Sequence, residues 1–439
     1  MMKISYIGAG SAVFARQLMT DILSIEGLDE GTFALIDIDA ERLDLARRIG
    51  QRLVERSGKA WQIQASTDRA EVLAGSDVVI NSIEVAAEAT VGLDYEIPLR
   101  YGVDQCIGDT IGPGGIFKAL RTGPVWLAIM ADVARLCPDA LVLNYTNPMS
   151  VLTLAAARVA DLPVVGLCHS VQSTSRRLAE YLGIPYSQLT WQCAGINHNA
   201  WFTLLRRGQE DLYPRLHQLA RQPEIYERDP VRFETMLHLG AFVTESSGHF
   251  SEYVPYFRSR PELVRRYSRA GFGGESGFRS RNYPRRLREH RRAAEAWADG
   301  IEALPEGRSH EYASDIVEGL ALDRTAIIYG NVVNDHLIDN LPAGGCAEVA
   351  CVVDRRGVQP VHFGNLPEQL AALNRAHMAV HELMVESLLH RDRRSALYAL
   401  MLDPLTAAVC SLDEIERMFE EMWEAERPYL GAFEDSRRD

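Results

Sequence analysis

The sequence predicts an α/β protein: a Rossmann-like, doubly wound parallel sheet over residues 1–195, followed by a second, mixed α+β domain over 196–439. Three observations predict it. Through the first half, short apolar runs alternate with amphipathic stretches of helical period, the pattern of βαβ units whose parallel sheet is covered on both faces. A glycine turn, Gly8-Ala9-Gly10-Ser11, separates the first apolar run from the first helical stretch. After His198 the character changes, and residues about 205–310 are polar, arginine-rich and mostly of helical type.

Composition narrows the function. A chain of 439 residues allows two or three domains, and 47% apolar residues are enough for a large core. The net charge of −14, from 46 basic and 60 acidic residues, argues against nucleic acid or an anionic membrane as partner, because phosphate binding needs a basic face. No apolar run reaches the roughly 18–20 residues of a membrane span. Met1 to Gly8 is short and already strand-like, without the long apolar region of a signal peptide. The seven cysteines (106, 137, 168, 193, 346, 351 and 410) are odd in number and form no CxxC pair. Free thiols in a reducing cytoplasm are therefore expected.

In chain order, Lys3 to Gly8 reads as a strand, Val13 to Leu23 as a helix, and Thr32 to Ile38 as a second strand followed by a helix over Ala40 to Arg56. Gln62 to Ala65 and Asp77 to Asn81 are further strands. Glu84 to Gly115 reads as one long loop-rich passage, whose glycines would let backbone approach a ligand. Leu120 to Cys137 is helical, Ala140 to Tyr145 a strand, Val164 to Leu167 the next strand, and Arg176 to Leu182 a helix. The charge run Arg285-Arg286-Leu287-Arg288 fits a solvated helix face. Thr244 to Pro255 packs polar and aromatic groups without helical periodicity. Ala326 to Gly330 and Ala347 to Val353 are strands, and residues 366–390, 394–402 and 412–425 are helices.

Ligands of open α/β sheets sit outside the carboxyl ends of the strands, and the candidate residues gather there. Gly8, Gly10 and Ser11 form a dinucleotide turn that lacks the third glycine of the full fingerprint. Asp37, closing the second strand, would bond the ribose hydroxyls and disfavour a 2′-phosphate, so NAD is favoured over NADP. Asn144 and Asn147 follow another strand and suit ribose or sugar hydroxyls; Asn147 reads as well as a helix cap. Asp109 is the only acid in a glycine-rich run and reads as well as a turn cap. Cys168 and His169 end the strand Val164–Leu167, and His198 follows about thirty residues later. Cys168 and His198 suit Mn, Fe, Co, Ni or Zn and leave coordination positions for substrate, although on spacing alone a buried free thiol is the commoner explanation of Cys168.

Six motifs together resemble one family. They are Tyr6-Ile7-Gly8-Ala9-Gly10-Ser11, Asp109-Thr110-Ile111-Gly112-Pro113-Gly114-Gly115, Asn144-Tyr145-Thr146-Asn147-Pro148-Met149, Gly166-Leu167-Cys168-His169-Ser170-Val171-Gln172, Ala194-Gly195-Ile196-Asn197-His198 and Phe242-Val243-Thr244-Glu245-Ser246-Ser247, with Asp339-Asn340-Leu341-Pro342 beyond them. The chain resembles the NAD- and manganese-dependent glycosidases of glycoside hydrolase family four, and most of all their α-galactosidases. The resemblance implies NAD and Mn2+ (or another divalent transition metal) as cofactors, the metal held by Cys168 and His198. It implies oxidation of the sugar at C3, proton removal from C2 by Tyr253, elimination of the aglycone, and water addition, an exception to the two-carboxylate scheme. Asn147 would bind substrate. The general acid would be His169, with Asp109 as competitor. Glu84 to Leu99 carries no Arg or Lys, where phosphate-specific relatives carry an arginine, so a small unphosphorylated α-galactoside is expected. An α-glucuronidase, α-galacturonidase or α-glucosidase of the same family is the alternative, and an NAD-dependent hydroxy-acid dehydrogenase the alternative of another class; a non-enzymatic dinucleotide sensor ranks third. The resemblance also implies a homodimer or homotetramer.

Overall fold

A computed structural model describes residues 1–436. One sheet organises them. Its strands are β1 Met2–Ile7, β2 Glu30–Ile36, β3 Ala60–Ser66, β4 Val78–Asn81, β5 Leu141–Asn144, β6 Val164–Leu167, β7 Thr190–Ile196, β8 Asn199–Arg207, β9 Glu210–Asp211, β10 Phe242–Val243, β11 Ala326–Val333, β12 Cys346–Asp354 and β13 Gly357–Pro360. The order is β10-β8-β7-β12-β11-β6-β5-β4-β1-β2-β3, with β13 on β12 and β9 on β8. From β3 to β6 all pairings are parallel; from β6 to β10 all are antiparallel. The α/β expectation therefore holds, with the antiparallel strands extending the same sheet.

The central parallel strands are mainly apolar because both faces are covered. Ile4 and Tyr6 of β1, Val78 and Ile80 of β4, and Leu141 and Leu143 of β5 enter one apolar cluster. Ile7, Val79 and Val142, one residue out of phase, enter the other. Each fully buried Val, Leu or Ile contributes roughly 1.5–3 kcal/mol.

The pairing register runs one row of residues across the sheet. Ile7 faces Asn81, Asn81 faces Asn144, Asn144 faces Gly166, Gly166 faces Asn331, Asn331 faces Glu348, and Glu348 faces Gly195. Buried polar groups on this row pair with one another: Asn81 Nδ2 donates to Asn144 Oδ1 at 2.8 Å, and Asn331 Nδ2 to Glu348 Oε1 at 3.2 Å. In β1, β4, β5 and β6 the row lies at or next to the carboxyl end, beneath Gly8, Ser82, Tyr145 and Cys168.

The passage Glu84–Gly115 is not the single loop expected. It holds helices Ala87–Thr90 and Leu93–Arg100, and the next helix spans Gly112–Leu136, starting at Gly112 instead of Leu120. Pro113 suits a first helical turn. Gly114 and Gly115 serve packing within the protein: a Cβ on Gly114 would collide with the Gly108 carbonyl oxygen, and one on Gly115 with the Thr110 backbone. The β7–β8 hairpin and the helix Pro404–Val409 also carried no expectation. The helix after β6 spans Ser170–Leu182, beginning ahead of Arg176. The arginine-rich helix Phe278–Asp299 is largely exposed, as its charge run suggests.

Candidate functional site

The glycine turn follows β1 directly. Gly8 has φ +89, in the left-handed region that glycine tolerates, and a Cβ there would lie 2.8 Å from the Ser82 carbonyl carbon. Gly10 N donates to Asp37 Oδ2 at 2.7 Å, and Asp39 N to Asp37 Oδ1 at 3.0 Å. Strand β2 ends at Ile36, so Asp37 lies just beyond it, pinned to the turn. Ser11, exposed, precedes the helix Ala12–Leu23. A turn this close to Ser82 has no room for side chains and presents bare backbone at a helix N-terminus, which fits a pyrophosphate.

The second half of the site begins where β6 ends. Cys168 Sγ lies 3.2 Å from His198 Nε2. His198 stands in the tight turn between β7 and β8 with φ +62, a left-handed backbone that a histidine adopts at some strain. Glu245 Oε2 is 3.5 Å from the same His198 nitrogen. The three donor atoms lie within 4.8 Å of one another, the one such group of three or more among the described residues. Burial, with the charges of Glu348 and Glu245, pushes the Cys168 thiol up. Burial also opposes charge on Glu245, but His198 and His249 overcome it and hold the carboxyl below its ordinary value. Soft thiol, imidazole and ionised carboxylate in one buried pocket fit a divalent transition metal, whose charge would convert the thiol to thiolate. The buried Asn197 amide beside them has no protein partner at either atom.

On its other side, His198 Nδ1 meets the Tyr253 hydroxyl at 3.1 Å. Tyr253 is 1% exposed. Burial, with the charges of Glu245, Asp109 and Glu252, pushes its phenol far above its ordinary value. His249 links Glu245 to Asp109: its Nδ1 lies 3.9 Å from Glu245 Oε2 and its Nε2 3.8 Å from Asp109 Oδ1.

Asp109 sits among cations. Lys118 Nζ is 3.6 Å away, Arg279 Nε 3.8 Å, and Thr110 Oγ1 donates to it at 2.7 Å. Burial opposes its charge, yet Lys118, Arg279 and His249 prevail and hold its carboxyl well below the usual carboxylate range. Glu84 shares both cations, at 2.8 Å from Lys118 and 2.9 Å from Arg279, and is held at about 2 against burial. Asn147 Nδ2 is 3.5 Å from both Asp109 oxygens and caps no helix, since Pro148 holds the cap position. Asn144, in contrast, is committed to the fold: it accepts from Asn81 and from Thr146 N and donates to Thr146 O. His169 stands at the rim, its side chain 70% exposed, with Nδ1 3.8 Å from Glu311 Oε1.

Cys168, His198, Tyr253, Asp109 and Asn147 thus converge, with His169 one residue from the first. Sequence reasoning missed Glu245, His249, Lys118, Arg279, Glu84 and Glu311. Glu245 and His249 lie inside the dense stretch 244–255, which was a signal of place but not of role. The others come from elements scattered along the chain, and no spacing announces them.

Comparison with known proteins places the chain in a family. Residues 3–184 match the family described as Family 4 glycosyl hydrolase, and residues 193–406 match the Family 4 glycosyl hydrolase C-terminal domain. An alpha-galactosidase of Bacillus subtilis (strain 168) is 39% identical over 98% of this chain and 99% of its own. An alpha-galactosidase of Rhizobium meliloti (strain 1021) is 35% identical over 98% of this chain and 89% of its own. The solved 6-phospho-alpha-glucosidase from gut microorganisms, in complex with NAD and Mn2+, shares the fold at TM-score 0.80 and 18% identity, over 98% of each chain. The family's two regions follow one another here with the sheet, glycine turn and buried Cys168–His198 pair in place, and the chain belongs to family 4 of the glycosyl hydrolases.

Proposed function

We propose that the protein is an α-galactosidase acting on small, unphosphorylated α-galactosides through an oxidation–elimination route. The observation that carries the route is the contact chain Cys168–His198–Tyr253 with Glu245 beside it. The chemistry on offer there is a metal pocket and a phenol, where an ordinary glycosidase would present two free carboxyls. Bound at the sites described, NAD would supply reversible oxidation at the sugar C3, and a divalent metal such as Mn2+ would supply Lewis-acid polarisation of the resulting carbonyl.

The chain's residues take the remaining tasks. Cys168, His198 and Glu245 hold the metal; Gly8, Gly10 and Ser11 take the pyrophosphate, and Asp37 the ribose. Asn147 and Asp109 bind sugar hydroxyls. Tyr253 removes the C2 proton as the bond from C1 to the aglycone oxygen breaks, and His169 gives that oxygen a proton. Water then adds at C1, and Tyr253 returns the proton to C2, so hydrolysis is complete without net redox change. Asp109 is held ionised by Lys118, Arg279 and His249 and has no proton to give at neutral pH, which favours His169 as the acid.

Two considerations support the sugar assignment. The relatives 39% and 35% identical are alpha-galactosidases. Among the described residues, Lys118 and Arg279 beside Asp109 are matched by two carboxylates, Asp109 and Glu84, which disfavours a phosphate or a uronate there.

A panel of nitrophenyl α-galactoside, α-glucoside, α-glucuronide and α-galacturonide, assayed with NAD+ and Mn2+, tests this reading. The α-galactoside should be cleaved fastest, with no net NADH. Full activity in EDTA without NAD+, or faster cleavage of a uronide, would sink it; substrate-dependent NADH accumulation without sugar release would instead indicate a dehydrogenase.

A further inference from the structure

Glu252 immediately precedes Tyr253 and is 1% exposed. Its Oε1 accepts from the backbone N–H groups of Cys106 and Ile107, each at 2.5 Å. Its Oε2 accepts from Gly108 N at 3.0 Å and from Gln105 Nε2 at 3.2 Å. Three successive backbone N–H groups aimed at one carboxyl form an anion-binding nest. A buried carboxyl without such donors would be strongly disfavoured, so the side chain and the segment 105–108 fix one another.

The carbonyls of the same segment are tied in another direction. Gly277 N donates to Gln105 O at 2.7 Å, Arg279 N to Cys106 O at 3.0 Å, and Arg258 Nε to Asp104 O at 2.7 Å. The residue that follows this anchored segment is Asp109. Glu252 therefore joins, within one residue on each side, the phenol of Tyr253 and the carboxylate of Asp109.

We propose that Glu252 is a positioning residue for the elimination step: by clamping residues 105–108 it fixes the placement of Tyr253 relative to the Asp109–Asn147 end of the sugar site. The proposal rests on the reading of Tyr253 as the base. Misplacement of a reacting group by about 1 Å lowers rate by about 10²-fold, while metal and dinucleotide contacts made elsewhere are left intact.

The test uses the full chain with NAD+ and Mn2+ and compares Glu252→Gln, Glu252→Asp and Gln105→Met with the native enzyme. Substrate is nitrophenyl α-galactoside, unlabelled and deuterated at C2. Glu252→Gln keeps the shape but turns an amide NH2 toward N–H donors. It should lower kcat by roughly 10- to 100-fold, raise the C2 isotope effect on kcat/KM, and leave Mn2+ affinity by titration close to native. Glu252→Asp should recover part of the rate. Gln105→Met removes one of the four donors and should act in the same direction more weakly, which keeps the proposal open to test if Glu252→Gln does not fold. Native kcat and isotope effect in a folded Glu252→Gln, or in Gln105→Met where Glu252→Gln does not fold, would overturn it. A rate loss that tracks lowered thermal stability and Mn2+ affinity, with the isotope effect unchanged, would also overturn it, because the clamp would then be structural only. Tyr253→Phe is run alongside: if it is nearly as active as native, the base assignment fails and takes this inference with it, whereas an inactive Tyr253→Phe beside a normal Glu252→Gln removes the inference alone.

Discussion

Tyr253 is held where a phenol is hardest to ionise, buried and facing the charges of Glu245, Asp109 and Glu252. As the proposed base, Tyr253 needs positive charge in the same pocket, and Cys168, His198 and Glu245 are the candidate group for holding it. Two expectations follow at this scale. Tyr253→Phe should lower turnover by about 10²–10⁴-fold, the usual worth of a placed acid or base, with Mn2+ binding retained; steady-state kinetics and metal titration check it. Glu245→Gln removes an ionised donor from the pocket and should weaken Mn2+ binding by roughly 10- to 100-fold, read by calorimetry on the purified protein. Glu245 also shows what a residue-level reading of sequence lacks. Its motif stands out in the sequence, but its role depends on lying 3.5 Å from the histidine between β7 and β8.

Whole elements carry the site between them. The helix Glu368–His390 lies behind Tyr253: His377 Nε2 meets the Tyr253 carbonyl oxygen at 2.7 Å, and His381 sits one turn further on. Burial lowers His377 from 6.5 to about 4, and burial with the neighbouring His377 lowers His381 to about 3. Both are neutral in the folded protein at pH 6, whereas in the unfolded chain they take up protons as pH falls below about 6.5. Stability is therefore lost as pH falls from 6.5 toward 4, by roughly 3 kcal/mol for His377 at about 1.4 kcal/mol per pH unit. His381→Leu should flatten thermal stability against pH across that window, and a melting series from pH 7.5 to 4.5 reads it directly; an unchanged slope would refute the assignment. The helix Gly112–Leu136 gives the complementary lesson. Its glycine-rich opening reads as a loop because Gly is a poor helix former, yet Gly114 and Gly115 are there so that the turn can press against Gly108 and Thr110.

At the scale of the molecule, the site is a property of the sheet. The row Ile7–Asn81–Asn144–Gly166–Asn331–Glu348–Gly195 sets the glycine turn and the metal pocket on a common frame, although its members come from residues 7 to 348. Binding of NAD+ and Mn2+ to the folded chain alone should therefore stabilise the whole protein. At about 100 times the dissociation constant each should add roughly 2.7 kcal/mol, seen as a raised melting temperature that EDTA reverses for the metal share. No effect of either would contradict the proposed sites.

Tyr253 is singled out only by the family resemblance, whereas the parallel half of the sheet, the glycine turn with Asp37, and Cys168, His169, His198, Asp109 and Asn147 as candidates are legible in the residues themselves. These signals are local: strand and helix periods, a turn between them, and motifs of a few consecutive residues. It takes the folded chain to bring Glu245 to Cys168 and His198, to commit Asn144 to the fold, and to set Lys118 and Arg279 against Glu84 and Asp109. The physical reason is that electrostatics and coordination act across a few ångströms of space. Lys118, in the helix Gly112–Leu136, and Arg279, in the helix Phe278–Asp299, stand far apart along the chain, and only folding brings both charges within 4 Å of one carboxylate.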